Sequence, residues 1–324
     1  MAERRPKRFP LGTVLQLLIS GVLLWLLARR IPLAESRAAL ERIRIGTVLM
    51  ALALSLVGYV GRSTRWQRLL RRAGVRLGAV AAYRLTLLGI LYGIVTPGRI
   101  GEFARILHLP VARSKTLASA IWDRVLDVLL LEAMSLPAFL WVPAWRGPLL
   151  WIYLAMVAVT IAGTVVLDRP GALAQLARWV PPLAAPLGRL ADASGGTLRS
   201  AAFRAGLGGS LFFYLTTYAA AWLLLRDLAP LAPLALVLGF PVIPLLGNLP
   251  IAFGGLGLRE QVSATVFAQL GAGAGVGPVF SLLWFVTATL LPGLIGLALA
   301  PTRWAPIRVE EGSPDLDQAD VAKR

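Results

Sequence analysis

Apolar runs of about 20 residues, separated by short arginine-rich segments, are the feature that most limits the fold of this 324-residue chain. Hydrophobic residues make up 57% of the sequence and charged residues 15%, whereas a soluble domain has about 25% charged residues. So much apolar surface exceeds what one soluble core can enclose, and a helix of about 20 apolar residues crosses a bilayer. We therefore predict an all-α polytopic membrane protein.

The apolar runs predict about eight full transmembrane spans and two partial or broken segments. Residues 1–10 form a basic N-terminal segment, residues 11–300 a single transmembrane domain, and residues 301–324 a polar tail without fixed structure. The connection 168–204 is predicted to hold an interfacial helix near residues 173–180. The predicted spans are residues 11–28, 45–61, 79–96, 117–141, 148–167, 206–225, 231–247 and 279–300, with a shorter helix at 259–270.

The net charge of +17 comes almost entirely from arginines that flank the apolar runs. Arginines at span ends meet anionic lipid headgroups, so we predict membrane-surface anchors and no nucleic-acid binding. The basic N-terminus and the basic loop that follows the second span indicate the cytoplasmic side of the plasma (inner) membrane, and an even number of spans returns the C-terminus there. Residues 29–44 are also basic and would lie outside, against this orientation. The predicted loop contains Arg62, Arg65, Arg68, Arg71, Arg72 and Arg76.

The sequence lacks the residues and motifs that nucleophilic catalysis, metal binding and nucleotide binding usually require. The chain has no cysteine and one histidine, His108, which we interpret as a polar residue at the membrane interface. The sequence contains no G-x-S-x-G, H-E-x-x-H or G-x-x-x-x-G-K-[ST] string. We therefore predict no catalytic triad, no metal site, no bound nucleotide and no other cofactor.

Two polar interruptions of the apolar pattern are the strongest candidates for a functional site. Residues 96–105 read TPGRIGEFAR and residues 248–260 read NLPIAFGGLGLRE. Each begins near a proline, passes through glycines and ends with charged residues that open a new helix. They are either ordinary loops or broken segments that re-enter the membrane and line a cavity, as in inverted-repeat transporters. The candidate headgroup-binding residues are Arg99, Glu102, Arg105, Gly254, Gly255, Gly257, Arg259 and Glu260.

The spacing within these motifs suggests how they bind an anion. Glu102 lies three residues from both Arg99 and Arg105 and can pair with either on a helix. The second motif combines glycines, which let backbone N–H groups approach a ligand, with a helix start and the guanidinium of Arg259. A lipid phosphate or a similar anionic headgroup fits these donors.

The fourth predicted span carries charges that must find partners inside the membrane. Asp123 and Asp127 share one helix face, Arg124 is three residues from Asp127, and Glu132 lies on a different face. Each charge inside a span costs at least about 2.5–3.5 kcal/mol, so these groups should face the protein interior and pair. Arg84 on the third span is a plausible partner for Asp123 or Asp127. The resulting network either takes part in transport or only fixes helix packing.

Taken together, the stretches PGRIGEFAR, WDRVLD and LPIAFGGLGLRE resemble the signature motifs of one family, the flippase-like membrane module of the lysylphosphatidylglycerol synthetase/flippase family. The resemblance follows span order over nearly the whole chain. Full-length members carry a soluble aminoacyl-transferase domain after this module, and this chain ends at Arg324 without one, so lipid aminoacylation is not expected. The residues that match the motifs are Pro97, Gly98, Gly101, Glu102, Arg105, Asp123, Arg124, Asp127, Pro250, Gly254, Gly255, Gly257, Arg259 and Glu260.

The resemblance implies an integral inner-membrane protein that moves or handles a lipid. The leading interpretation is a flippase-like transporter whose cavity receives a phosphate-bearing headgroup. The alternative is a membrane-embedded transferase, with Glu102, Asp123 or Asp127 as bases, or an accessory subunit in the biosynthesis of lipid-linked glycans, hopanoids or envelope lipids. The expected partners are anionic phospholipids or polyprenyl-phosphate-linked lipids, together with a second copy of the chain or enzymes of envelope biosynthesis.

Overall fold

The computed structural model describes residues 33–96, 99–177, 184–231, 233–247, 249, 257–273, 275–300 and 309–311, with positions 18, 21, 22, 25 and 29. A 3-10 helix covers Ile100–His108, a short 3-10 turn covers Pro143–Trp145, and the strands are β1, Val75–Leu77, and β2, Val309–Glu311. The helices are α1 Leu33–Arg42, α2 Ile45–Arg72, α3 Ala79–Ile94, α4 Arg113–Trp141, α5 Pro148–Asp168, α6 Pro170–Ala177, α7 Ala184–Ser194, α8 Ala201–Leu228, α9 Pro233–Gly239, α10 Val242–Gly247, α11 Leu258–Gln269 and α12 Val276–Ala298.

Four of these helices, α2, α5, α8 and α12, are long and apolar enough to cross a membrane. α3 and residues 236–247 are shorter apolar helices. Large apolar side chains such as Trp151, Ile152 and Val159 of α5 are exposed on the outer surface, where a soluble protein would carry polar groups. The chain is therefore an all-α, multi-pass membrane protein. The first predicted span, residues 11–28, lies for the most part outside the described residues.

α2 and α8 share the most extensive contact among the described helices, and they run antiparallel. A Cβ atom added to Gly61 would lie 2.6 Å from the carbonyl oxygen of Gly209, and one added to Gly209 would lie 2.7 Å from that of Gly61. The hydroxyl of Thr47 donates to Asp227 at the other end of the pair, at 2.6 Å. Small residues thus bring the two backbones into contact, as is common between helices in membranes.

The predicted basic loop after residue 61 is wrong for residues 62–72, because α2 continues without interruption to Arg72. Apolar and small residues keep the helical spacing past residue 61, so that Trp66 and Leu69 are buried in line with Tyr59. Arg62 and Arg65 follow the same face and are 6% and 0% exposed. These two arginines are interior residues and not membrane-surface anchors.

The first interruption is a helical hairpin. α3 ends at Ile94, and Arg99 adopts a left-handed backbone with φ of 57° before the 3-10 helix Ile100–His108 returns along α3. Gly101 lies directly against the carbonyl of Tyr92, and a Cβ at Gly89 would be 3.1 Å from the carbonyl of Glu102. Glycines at these crossings let the returning segment lie close to α3.

The helices before and after the second interruption lie against each other. Residues 231–247, predicted as one span, form the two short helices α9 and α10, separated at Phe240 and Pro241. Pro241 lacks an N–H group and its ring disturbs the preceding turn, which explains the break. α11 then returns along them, since Gly239 packs on Val266 and Gly247 packs on Arg259. The predicted short helix 259–270 corresponds to α11.

The strands join two distant parts of the chain. β1, directly after α2, pairs antiparallel with β2, and Arg76 is opposite Glu310. The prediction of an unstructured tail is therefore wrong for residues 309–311, because these residues complete the hydrogen bonds of β1. The remainder of the tail lies outside the described residues.

The connection between α5 and α8 contains two helices. α6, Pro170–Ala177, overlaps the predicted interfacial helix at 173–180, whose last three residues lie outside the described residues. α7 was not predicted; it packs beside the beginning of α4. The Ser200 hydroxyl then accepts a hydrogen bond from the Phe203 N–H at 3.1 Å and caps the start of α8.

Candidate functional site

Two aspartates on α4 organise the polar interior. Asp123 accepts hydrogen bonds from Arg65 Nε and Arg105 Nη2, both at 2.6 Å. Asp127, one turn later, accepts from Arg62 at 2.8 Å and from Arg65 at 2.7 Å. Both carboxylates are almost fully buried, so their charges depend on these guanidinium groups.

Glu102, on the returning 3-10 helix, extends the same network. Its carboxylate accepts from Arg62 at 2.9 Å, pairs with Arg99 at 2.8 Å and lies 3.7 Å from Arg124. The Thr96 hydroxyl accepts from the Gly101 N–H at 2.7 Å and stabilises the tight return that places Glu102 there. We call the eight side chains the charge cluster: Arg62, Arg65, Arg99, Arg105 and Arg124 with Glu102, Asp123 and Asp127.

The charge cluster carries more positive than negative charge. Five guanidinium groups face three carboxylates, which leaves a surplus of two positive charges among these described residues. Residues 97, 98 and 250–256 of the two motifs lie outside the described residues, and none carries an ionisable side chain. An anion entering the cluster would offset this surplus.

A cavity of about 490 Å³ opens beside the charge cluster. Arg62, Arg99, Arg124 and Asp127 line one end. The remaining wall is mostly apolar and aromatic, and its described lining includes Tyr59, Met156, Phe213, Tyr214, Phe240, Leu245, Leu249 and Trp284. The cavity therefore touches the first hairpin at Arg99 and the second at Leu245 and Leu249, and it combines an anion-binding end with an apolar body.

The last helix contributes an irregular turn to the same wall. Residues Val286–Leu290 of α12 are π-helical, and Ala288 and Thr289 line the cavity. The Tyr59 hydroxyl donates to the carbonyl of Ala288 at 2.5 Å, which satisfies a backbone group in this irregular turn.

Residues 257–260 of the second motif form a separate polar site against α12. Gly257 has φ of 80° and precedes α11, and the Glu260 carboxylate accepts from its N–H at 2.8 Å. Arg259 pairs with Glu260, donates to Ser281 on α12 at 3.0 Å and stacks over Phe285 at 4.6 Å. These contacts hold α11 against α12. Gly254 and Gly255, predicted to contact the headgroup, lie outside the described residues.

The structure brings together most of the predicted charged residues, but with different partners. Arg105 pairs with Asp123 and stacks on Trp66 at 4.0 Å, so Glu102 pairs with Arg99 and not with Arg105. Neither Arg105 nor Arg259 is among the residues that line the cavity. Arg124 points to Glu102 and not to Asp127.

The predicted pairing of Arg84 with Asp123 or Asp127 is wrong. Arg62, Arg65 and Arg105 occupy both carboxylates, because α2 and the 3-10 helix, and not the part of α3 that carries Arg84, lie against this face of α4. Sequence reasoning missed Arg62 and Arg65. The available signal was the burial period that continues through Trp66 and Leu69, which indicates a helix and not a loop.

Comparison of the sequence with known families supports the resemblance that the motifs indicate. No curated protein sequence matches the chain significantly. The family model described as the lysylphosphatidylglycerol synthase TM region matches residues 13–296, a range that includes both hairpins, the charge cluster and α12 up to its last turn. The chain therefore belongs to the family of the lysylphosphatidylglycerol synthase transmembrane region.

Proposed function

We propose that the protein is a flippase-like transporter that moves a lipid with an anionic, phosphate-bearing headgroup across the plasma membrane. The observation that carries the proposal is the cavity with Arg62, Arg99 and Arg124 at one end and apolar side chains along the rest. Guanidinium groups match phosphate oxygens in geometry and charge. The acyl chains would stay in the bilayer, so that only the headgroup has to leave water.

The charge cluster supports headgroup binding because its arginines are already positioned. Glu102 and Asp127 hold Arg62, while Glu102 also holds Arg99, before any ligand arrives. Binding therefore does not have to order these long side chains, which lowers the entropic cost of association. The surplus of positive charge remains available to the phosphate.

The course of the chain supports an alternating-access mechanism. α2 leads into the hairpin of α3 and the 3-10 helix, and α8 leads into the hairpin of α9–α11. Because α2 and α8 are antiparallel, the two hairpins enter from opposite sides, which is the pattern of an inverted repeat with two re-entrant segments. In this proposal the domain has about eight spans in the inner membrane, with both termini in the cytoplasm.

A lipid-movement assay tests the proposal. Purified protein in liposomes that contain fluorescent phosphatidylglycerol should expose inner-leaflet label to an outside quencher faster than empty liposomes do. Arg124→Gln should lower this initial rate about 10- to 150-fold, because a hydrogen bond to a charged group contributes about 1.5–3 kcal/mol. Arg226→Gln is the matched control, since it removes one positive charge from an arginine that is 51% exposed at the end of α8.

The outcomes separate the candidate functions. Movement no faster than in empty liposomes would contradict transport, and a covalent lipid product detected by mass spectrometry would favour the embedded transferase. Equal rates for Arg124→Gln and Arg226→Gln would show that the headgroup binds elsewhere. Co-purification with a second copy of the chain or with envelope-biosynthesis enzymes would favour an accessory role only if lipid movement is also absent.

A further inference from the structure

Glu132 on α4 differs from the other buried acids. Glu102, Asp123, Asp127 and Glu260 each pair with at least one arginine. Glu132 is 2% exposed and forms no ion pair among the described residues. A charged side chain inside a membrane domain is energetically costly, and such residues are usually functional. The lack of a cationic partner for Glu132 therefore requires an explanation.

The contacts of Glu132 come from neutral groups on α5. The Thr160 hydroxyl donates to Glu132 Oε1 at 2.7 Å. The Tyr153 hydroxyl donates to the backbone carbonyl of Glu132 and not to its carboxyl group. The second carboxyl oxygen, Oε2, is buried without a hydrogen-bond partner in the described part of the chain.

No charged group on the described elements that pack against α4 forms an ion pair with Glu132. α9, α10 and the turn Pro143–Trp145 contain no ionisable side chain. The charged groups of α2 and of the 3-10 helix that reach α4 engage Asp123, Asp127 and Arg124, at least five residues before Glu132. His108, at the end of the 3-10 helix, pairs with Tyr92.

The remaining neighbours of α4 are α7, α8 and α5, and their described charged side chains also form no ion pair with Glu132. Arg189 of α7 lines a groove with Leu117, at the beginning of α4. The Tyr214 hydroxyl of α8 donates to the carbonyl of Asp127 at 3.4 Å, and Tyr218 packs edge-to-face against Phe240. Among the described neighbours, this leaves Tyr153 of α5 as the titratable side chain in contact with Glu132, through its backbone carbonyl.

Thr160 connects Glu132 to the cavity. Thr160 lines the same cavity as Arg62, Arg99 and Arg124, and its hydroxyl is hydrogen-bonded to the Glu132 carboxyl. A proton released by Glu132 can therefore pass through one hydroxyl to the space that the headgroup would occupy. The charge cluster is about 7.5 Å away along α4, the rise of the five residues from Asp127 to Glu132.

We propose that Glu132 is a proton-binding site that couples lipid movement to the transmembrane proton gradient; this inference rests on the transport function proposed above. In the closed cavity the buried carboxyl group holds a proton, because an ionised carboxylate without a cation is expensive in apolar surroundings. When the cavity opens, water reaches the Thr160 side and stabilises the ionised form. The four other buried acids are already engaged by arginine side chains, so none of them offers a carboxyl group without a cationic partner.

The experiment compares wild-type protein with the isosteric variant Glu132→Gln in liposomes, with the membrane potential clamped. A gradient of about one pH unit should enrich labelled phosphatidylglycerol up to about tenfold in one leaflet if one proton accompanies one lipid. Glu132→Gln should still move the lipid without a gradient but should lose the enrichment. An uncoupler should abolish the enrichment in wild-type protein, whereas Asp192→Asn, an exposed acid on α7, should leave it intact.

A spectroscopic measurement separates this proposal from the transport function. Infrared spectra should contain a carboxylic-acid C=O band at neutral pH that disappears in Glu132→Gln. Absence of that band in wild-type protein, or equal enrichment by wild type and Glu132→Gln, would overturn the proposal.

If wild-type protein moves lipid without any response to the gradient, transport stands and coupling fails; if it moves no lipid, the transport function itself fails. Should Glu132→Gln not fold, Thr160→Val should also reduce the enrichment, and an unchanged ratio would overturn the proposal.

Discussion

At the residue scale, Asp123 and Asp127 act as shared anchors for arginines from different segments. Arg65 bridges both carboxylates, Arg62 reaches Asp127, and Arg105 reaches Asp123. Buried ion pairs are not strongly stabilising overall, since desolvation offsets most of their attraction. Their value here is positional, because they hold guanidinium groups of two chain segments, α2 and the 3-10 helix, against α4 beside the cavity.

Removal of Arg65 should therefore destabilise the protein by more than the small net contribution of its ion pairs to the free energy of unfolding. Arg65→Gln leaves two buried carboxylates without a partner they share, and we expect a loss of about 3–5 kcal/mol in the free energy of unfolding. Thermal unfolding in detergent measures the effect as a lower Tm. Arg37→Gln is the control, because Arg37 pairs with Glu41 where both side chains are largely exposed, at 83% and 64%. A Tm for Arg65→Gln equal to that of Arg37→Gln would contradict this account.

At the element scale, the contact between α2 and α8 determines where the arginines lie. Gly61 and Gly209 bring the two backbones together one turn before Arg65, whose Nη1 also donates to Ser210 on α8 at 2.8 Å. A wider separation of the helices would pull Arg65 away from α4. The geometry of the charge cluster therefore depends on the distance between α2 and α8.

Adjacent glycines on α8 test this dependence. Gly209→Ala places a methyl group against the carbonyl oxygen of Gly61, and we expect destabilisation of about 1–3 kcal/mol together with slower lipid movement. Gly208→Ala has no neighbouring atom within 4 Å and should gain about 0.5–1 kcal/mol from helix propensity. Thermal unfolding and the liposome assay measure both variants. Similar values for the two would show that close helix contact is not required.

At the scale of the whole molecule, the strand pair ties the end of the chain to the end of α2. Val75 is opposite Glu311 and Leu77 is opposite Val309, so the tail and the connection after α2 lie on the same side of the domain. The α4–α5 connection, with Arg146, lies at the opposite end of the helices. This arrangement has a direct consequence for labelling from one side of the membrane.

The absence of cysteine makes that consequence simple to measure. Single-cysteine variants Arg76→Cys and Glu310→Cys should react with an impermeant thiol reagent only from one side, and Arg146→Cys only from the other. In intact cells we expect Arg146→Cys to be labelled and the other two to be labelled only after lysis, which corresponds to a cytoplasmic C-terminus. Labelling of positions 76 and 310 from opposite sides would contradict the strand pairing.

The amino-acid sequence was sufficient for the properties that depend on local pattern. The apolar runs predicted the membrane class, proline and glycine predicted both interruptions, and the charges on α4 required buried partners. The motifs also predicted the family, which the match over residues 13–296 confirms. Each of these inferences needs only residues that are close together in the chain.

Only the folded chain decides which charges meet. Asp123 and Asp127 pair with Arg65 and Arg62, which are 58 and 65 residues away, and not with the predicted Arg84. Glu132, a few residues farther along the same helix, meets a threonine and, within the described part of the chain, no arginine. Periodicity assigns each side chain to a face of its helix, but the partner depends on which helices pack together. That choice is made by glycine contacts and by chain reversals far away in the sequence.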